Sequence, residues 1–148
     1  MAEFYVSVSK DSMAKQIAVL VNKFNKWYKT HTAYSISRDD TDYFVEVVND
    51  RVVGCVGLQK RFYNSSEIKH MCVEPEFRRK GIAKRLVNLA IANCNTEYVY
   101  MKIRDDNLPS LMLAKTLGFV PIKKHWSVDH FVVTVGRRKS YASIYGTQ

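Results

Sequence analysis

The stretch Val73-Glu74-Pro75-Glu76-Phe77-Arg78-Arg79-Lys80-Gly81-Ile82-Ala83 has the residue types and spacing to do chemistry. A β-branched run ends before it and a helical apolar pattern starts after it, so it reads as strand, turn and helix start. Gly81 lets the backbone approach a ligand without a Cβ in the way. The first N–H groups of a helix point outward, and the helix dipole favours negative charge beside them. With cations crowded at the same turn, the stretch suits a pyrophosphate; the same residues also describe a solvated basic helix start. The pattern is neither G-x-x-x-x-G-K-[ST] nor the three-glycine dinucleotide fingerprint.

Charge supports an anionic ligand and localises it. The 148 residues hold 23 Lys+Arg and 14 Asp+Glu, a formal charge of +9. Residues 78–85 carry +5 and residues 107–148 another +5, so the other 98 sum to −1. At 47% apolar and 25% charged, the composition is that of a globular domain able to bury a core. No apolar run approaches the ~20 residues of a membrane span, and MAEFYVSVSKDSM lacks the apolar segment of a signal peptide. No partnership with a membrane is expected.

Cys55, Cys72 and Cys94 are widely spaced and odd in number, which argues against a disulfide framework and for a reducing, cytoplasmic setting. His31, His70, His125 and His130 make no metal-ligand spacing, so no metal is expected. Cys72 reads as a buried strand cysteine, since no His/Asp constellation surrounds it.

The elements that must position the turn follow from periodicity. With no linker or repeat, residues 1–148 read as one domain with a basic tail over about 138–148. Residues 3–9 read as a strand. Lys10-Asp11-Ser12 supplies helix-cap chemistry, and Met13, Ile17, Leu20, Val21, Phe24, Trp27 and Tyr28 then form one helical stripe. Residues 29–41 are a loop or short irregular helix. DYFVEVV and RVVGCVGL flank Asn49-Asp50, a two-residue hairpin signal. Strands over 66–73, 97–103, 119–126 and 130–137 are expected, with helices over about 81–94 and 109–117, the second stopped by Gly118. The fold class is α+β: a mixed, mainly antiparallel sheet of six to seven strands with helices on both faces.

Arg78-x-x-Gly81-x-Ala83 resembles the [QR]-x-x-G-x-[GA] signature of the GNAT superfamily of acyl-CoA-dependent N-acyltransferases. Met71-x-Val73-x-Pro75 is similar to that family's fourth strand and its exit. Asn107-x-x-Ser110-x-x-Leu113 followed by Leu117-Gly118-Phe119 resembles the motif of the family's last helix. The resemblance spans nearly the whole chain. It implies acetyl-CoA as co-substrate in a cleft where strands 66–73 and 97–103 splay apart. Pantetheine would pair along Met71, Cys72 and Val73, and the pyrophosphate would sit on Arg78, Arg79, Lys80, Gly81, Ile82 and Ala83. Asn107 would contact CoA; by its own chemistry it is also a helix cap.

The implied reaction is direct attack of a primary amine on the thioester in a ternary complex. An alkylamine with a pKa of about 10.4 must first lose a proton. Glu67, six residues before Val73, takes the place of the family's catalytic glutamate in its histone-acetylating branch. His70 is a rival base that strand alternation puts on the opposite face from Glu67. A backbone N–H near Cys72 or Val73 would steady the oxyanion. The family's tyrosine acid, seven residues after the asparagine, is replaced by Ala114, leaving Ser110, Lys115 or water to serve as acid.

The acceptor is an amine on a small molecule or protein. Lys123, Lys124, His125, Trp126, Asp129 and His130 are assigned to the loop between the last two strands. Cations with an aromatic beside them suit an anionic or base-containing acceptor, which keeps nucleic acid or a nucleotide as an alternative. A CoA-binding protein with little turnover is the other alternative, and the chain is expected as monomer or homodimer.

Overall fold

The computed structural model describes residues 10–24 and 30–140. The strand expected over 3–9, the stripe residues Trp27 and Tyr28, and most of the basic tail lie outside the described residues. The elements are α1 (Lys10–Phe24), α2 (Ala33–Arg38), β1 (Asp42–Val48), β2 (Arg51–Lys60), β3 (Ser65–Val73), a 3-10 turn (Pro75–Phe77), α3 (Ile82–Ala92), β4 (Tyr98–Arg104), α4 (Leu108–Thr116), β5 (Val120–Ser127) and β6 (His130–Arg138). Hydrogen-bonded neighbours run β1-β2-β3-β4-β6-β5, a mixed six-stranded sheet among the described residues. The chain divides into two compact units, residues 1–59 with 68–90 and residues 60–67 with 91–148.

In the first unit, the helical stripe does what its spacing requires. Ala14, Ile17, Ala18, Leu20 and Val21 of α1 are buried with Ile36 of α2 against Val45, Val47, Val52, Cys55 and Cys72. The Gln16 side chain accepts from the Val52 N–H at 2.8 Å, tying helix to strand. Asn49 and Asp50 both take positive φ, 49° and 61°, the geometry of a type I′ turn joining β1 to β2. β2 is buried from Val52 to Gln59, so both of its faces are covered. Cys55 belongs to the α1 core, whereas Gly54 looks the other way. A Cβ on Gly54 would stand 3.1 Å from Ile82 and 3.4 Å from Leu86, so glycine is what lets α3 lie so close.

In the second unit, β3 and β4 pair in parallel from Ser65↔Tyr98 to Glu67↔Tyr100. β4 then runs antiparallel to β6 along its length, and β6 to β5. Val99, Met101 and Ile103 are buried in alternation, as are Ala114, Leu117 and Phe119. Gly118 ends α4 at φ 87°, as the C-terminal glycine reading requires. Among the described residues no helix is long and apolar enough to cross a membrane.

Two measurements check this packing. Leu86 is fully buried, so Leu86→Ala should lower unfolding stability by about 2–5 kcal/mol in a denaturant titration; a change under 1 kcal/mol would contradict the packing. The second concerns Asp39, which closes α2 and lies 3.8 Å from Lys69 of β3. Burial pushes its carboxyl up, but the Lys69 charge and hydrogen bonding outweigh burial and hold it below the usual value. A carboxylate so shifted contributes stability that is complete above its unfolded pKa and is lost as pH falls through the lower folded one. Wild type should therefore exceed Asp39→Asn in urea midpoint at neutral pH, with the two converging below the carboxylate range. A gap that persists unchanged in acid would refute the assignment.

Candidate active site

The turn between β3 and α3 is built by its backbone. Arg79 (φ 62°) and Gly81 (φ 79°) are left-handed, with Lys80 between them in the ordinary region. Alternation of hand is the pattern that turns successive N–H groups toward a common anion. A Cβ at Gly81 would meet only ordinary contact, 3.4 Å from Arg85, so the requirement for glycine is conformational. Ile82 is buried and anchors the helix start, while Arg79, Lys80 and Gly81 are exposed. Arg78 behaves differently from its neighbours. Its Nε donates to the Val73 carbonyl at 2.8 Å, and its guanidinium lies 5.0 Å from the Phe24 ring centroid. It braces the strand exit against the start of the turn.

On β3 itself, Cys72 and Val73 are buried and Met71 is half-buried. Cys55 and Cys72 share a hydrogen bond that, with burial, pushes the Cys55 thiol well up, so that thiol is a core group and not a nucleophile. Strict alternation places His70 on the opposite face from Glu67. His70 has φ 57°, a left-handed residue inside a strand, which interrupts the period-2 pattern as a bulge does. Its Nδ1 meets the Tyr43 hydroxyl at 2.7 Å, and its ring stands edge-on to His31 at 4.6 Å. Burial strongly raises the Tyr43 pKa, so the phenol keeps its proton within this hydrogen bond. No pattern in the sequence announced this Tyr–His–His cluster, because its members are 12 and 27 residues apart from Tyr43.

Glu67 is 7% exposed. Arg61 donates to its Oε1 from Nε at 3.1 Å and from a terminal nitrogen at 2.9 Å. Tyr100 stands opposite it in the parallel ladder, and burial followed by the Glu67 charge raises the Tyr100 pKa. Asn107 caps α4, accepting from the Ser110 N–H at 3.3 Å. Ser110 is half-buried one turn into that helix, and Ala114 is 1% exposed, with no phenol at the position.

The cations near the last hairpin are also arranged differently from the expectation. Lys123, Lys124, His125 and Trp126 are strand residues of β5, leaving Val128 and Asp129 as the turn. Alternation then splits them. Trp126 pairs across from Phe131 in edge contact at 4.9 Å, with the Lys124 ammonium 4.5 Å from the Phe131 ring. Lys123 and His125 stand on the opposite face, across from Thr134 and Val132. The aromatic pair and the outward cations do not form one surface.

Comparison with known proteins agrees with this frame. Residues 10–119 match the model of the Acetyltransferase (GNAT) family, a span that draws on both units. An uncharacterized N-acetyltransferase of Methanocaldococcus jannaschii is 28% identical over 106 residues, 66% of this chain and 47% of that protein. The chain spans about half the length of the curated relatives it matches. The fold is similar to the ribosomal-protein-S18-alanine N-acetyltransferase from Escherichia coli, with TM-score 0.78 at 12% identity, covering 97% of each chain. It is also similar to a putative acetyltransferase from Salmonella typhimurium solved with its cofactor acetyl-CoA, with TM-score 0.71 at 15% identity, covering 97% of this chain and 96% of that one. With the family model matched over most of its length, the chain belongs to the GNAT acetyltransferase family.

Proposed function

We propose that the protein transfers the acetyl group of acetyl-CoA to a primary amine by direct attack in a ternary complex. The observation that carries this reading is the loop at Arg78–Ala83. Its alternating backbone and following helix start lie within the span that the family model matches. In this reading the N–H groups from Arg79 to Ala83 take the pyrophosphate, and Lys80 adds charge at the exposed rim. Arg78 holds the loop through the Val73 carbonyl and reaches the cofactor only indirectly. Met71, Cys72 and Val73 pair with pantetheine as an added strand would, and Asn107 serves both as cap and as CoA contact.

The amine must be neutral to attack. Glu67 is the proposed base: it is buried beside Tyr100, and both Arg61 bonds fall on its Oε1. Departing CoA finds no tyrosine at Ala114. A thiol with pKa about 8.5 leaves as thiolate at a cost of only about 2 kcal/mol at pH 7, so Ser110 or water suffices as proton donor. Free buried thiols at Cys55, Cys72 and Cys94 go with a reducing cytoplasm.

Two experiments test this. Saturating acetyl-CoA should raise the thermal midpoint of the wild-type chain. Gly81→Val should abolish that shift, because a β-branched residue resists φ near 79°. No shift with wild type would sink the proposal. For the base, Glu67→Gln should lower kcat/KM for an amine acceptor about 100-fold or more and remove the lower-pH limb of the rate profile. His70→Asn, which tolerates the left-handed backbone, should keep that limb; the reverse outcome would transfer the role to His70.

A further inference from the structure

Within the first unit, β1 carries a carboxylate into the interior. Val45, Glu46 and Val47 are all buried. Val45 and Val47 belong to the α1 core, so alternation turns Glu46 to the other side of the sheet. Its partner across the β1–β2 ladder is Gly54, and directly opposed residues project to one side. That side faces α3, since Gly54 looks toward Ile82 and Leu86. Arg85, in the first turn of α3, meets this carboxylate: one terminal nitrogen lies 3.5 Å from the Glu46 Oε1. Its other terminal nitrogen donates to the Lys80 carbonyl at 3.1 Å. A cation in the first turn of a helix works against the helix dipole, which favours negative charge there. The buried Glu46 offsets that cost and anchors the guanidinium that grips the loop.

We infer that Glu46 and Arg85 are positioning residues for the anion loop: they set the direction of its N–H groups and do not touch the cofactor. The inference rests on the acetyl-CoA reading of Arg78–Ala83 and names what holds that loop ready. The Lys80 carbonyl and the Gly81 N–H belong to one trans peptide plane, so they point in opposite directions. Arg85 draws the carbonyl toward itself, which turns the N–H of the exposed Gly81 away from the guanidinium. Glycine takes either sign of φ at little cost, so nothing in Gly81 itself stops that plane from turning over. The grip on Lys80 supplies the missing restraint. Arg78 fixes the entry to the loop through the Val73 carbonyl, and Arg85 fixes its middle. By charge alone Glu46 is misplaced, because a carboxylate beneath an anion site repels the anion. Its place there makes sense through Arg85, whose orientation it holds.

The test compares acetyl-CoA with S-acetylpantetheine, which carries the thioester but no pyrophosphate. The variants are Glu46→Leu, Glu46→Gln, Arg85→Leu and the double variant Glu46→Leu/Arg85→Leu. The readout is the ratio of kcat/KM for acetyl-CoA to that for S-acetylpantetheine. Each single leucine variant should lower the ratio about tenfold, through KM for acetyl-CoA. The double variant should lose no more than Arg85→Leu alone, because the two residues act as one unit. Glu46→Gln keeps an oxygen that accepts from Arg85 and should keep part of the ratio. Thermal midpoints without ligand check the fold, and the half-exposed Arg85 carries the test where Glu46→Leu fails to fold. Tighter binding of acetyl-CoA in Glu46→Leu would show Arg85 meeting the phosphates itself and would overturn the inference. So would an unchanged ratio, the mark of a packing role only, or losses that multiply in the double variant. Inorganic pyrophosphate, titrated by calorimetry, separates the inference from the reading beneath it. Pyrophosphate binding that weakens in the same variants, with no acetyl-CoA shift in wild type, would leave the pair standing and remove the acetyl-transfer reading.

Discussion

The parallel ladder between β3 and β4 is the constraint on which the site depends. It covers three residue pairs, Ser65 to Glu67 on one strand and Tyr98 to Tyr100 on the other. That short contact fixes which residues of β3 share a side with which residues of β4. Because Glu67 and Tyr100 are paired, the buried carboxylate and the Tyr100 side chain fall on one face. Beyond Glu67 the chain continues into the first unit, where β3 is hydrogen-bonded to β2. Cys55 Sγ donates to the His70 carbonyl, and the Glu74 N–H to Val53. His70 holds a left-handed φ of 57° just before Met71, inside the strand.

Much of this was legible in the sequence because it is local. The hairpin at Asn49-Asp50, the α1 stripe, the Gly118 stop and the Asn107 cap each depend on a few adjacent residues whose conformational limits are intrinsic. The loop at Arg78–Ala83 was legible for the same reason. What the sequence could not supply is long-range register. Whether His70 faces Glu67 or not depends on a single left-handed φ that no residue type demands, since histidine takes it only rarely. The Arg61–Glu67 pair is six residues apart across a turn, and neither residue signals its partner. Lys123 to Trp126 looked like one mixed basic and aromatic surface in sequence. A period-2 strand separates such neighbours onto opposite faces, and only the pairing with Phe131, Val132 and Thr134 says which goes where.

The fold also changes the meaning of the charge. Five cations between 78 and 85 suggest a purely electrostatic cradle, yet two of them are turned to structural use. Arg78 holds the Val73 carbonyl, and Arg85 donates to the Lys80 carbonyl while lying 3.5 Å from the buried Glu46. Arg79, Lys80 and Lys84 remain at the surface, beside the alternating backbone of the loop. The same economy applies to the C-terminal cluster. Arg137 donates to the carbonyls of Leu117 and Lys139, and the Lys139 ammonium to that of Cys94. These cations hold the end of β6 against the segments that precede β4 and β5. Lys123 is a member of that cluster left outward over Thr134, and Lys102, which belongs to neither cluster, faces it. A net charge of +9 therefore resolves into a few positioned donors, and those few carry more information about ligands than the total does.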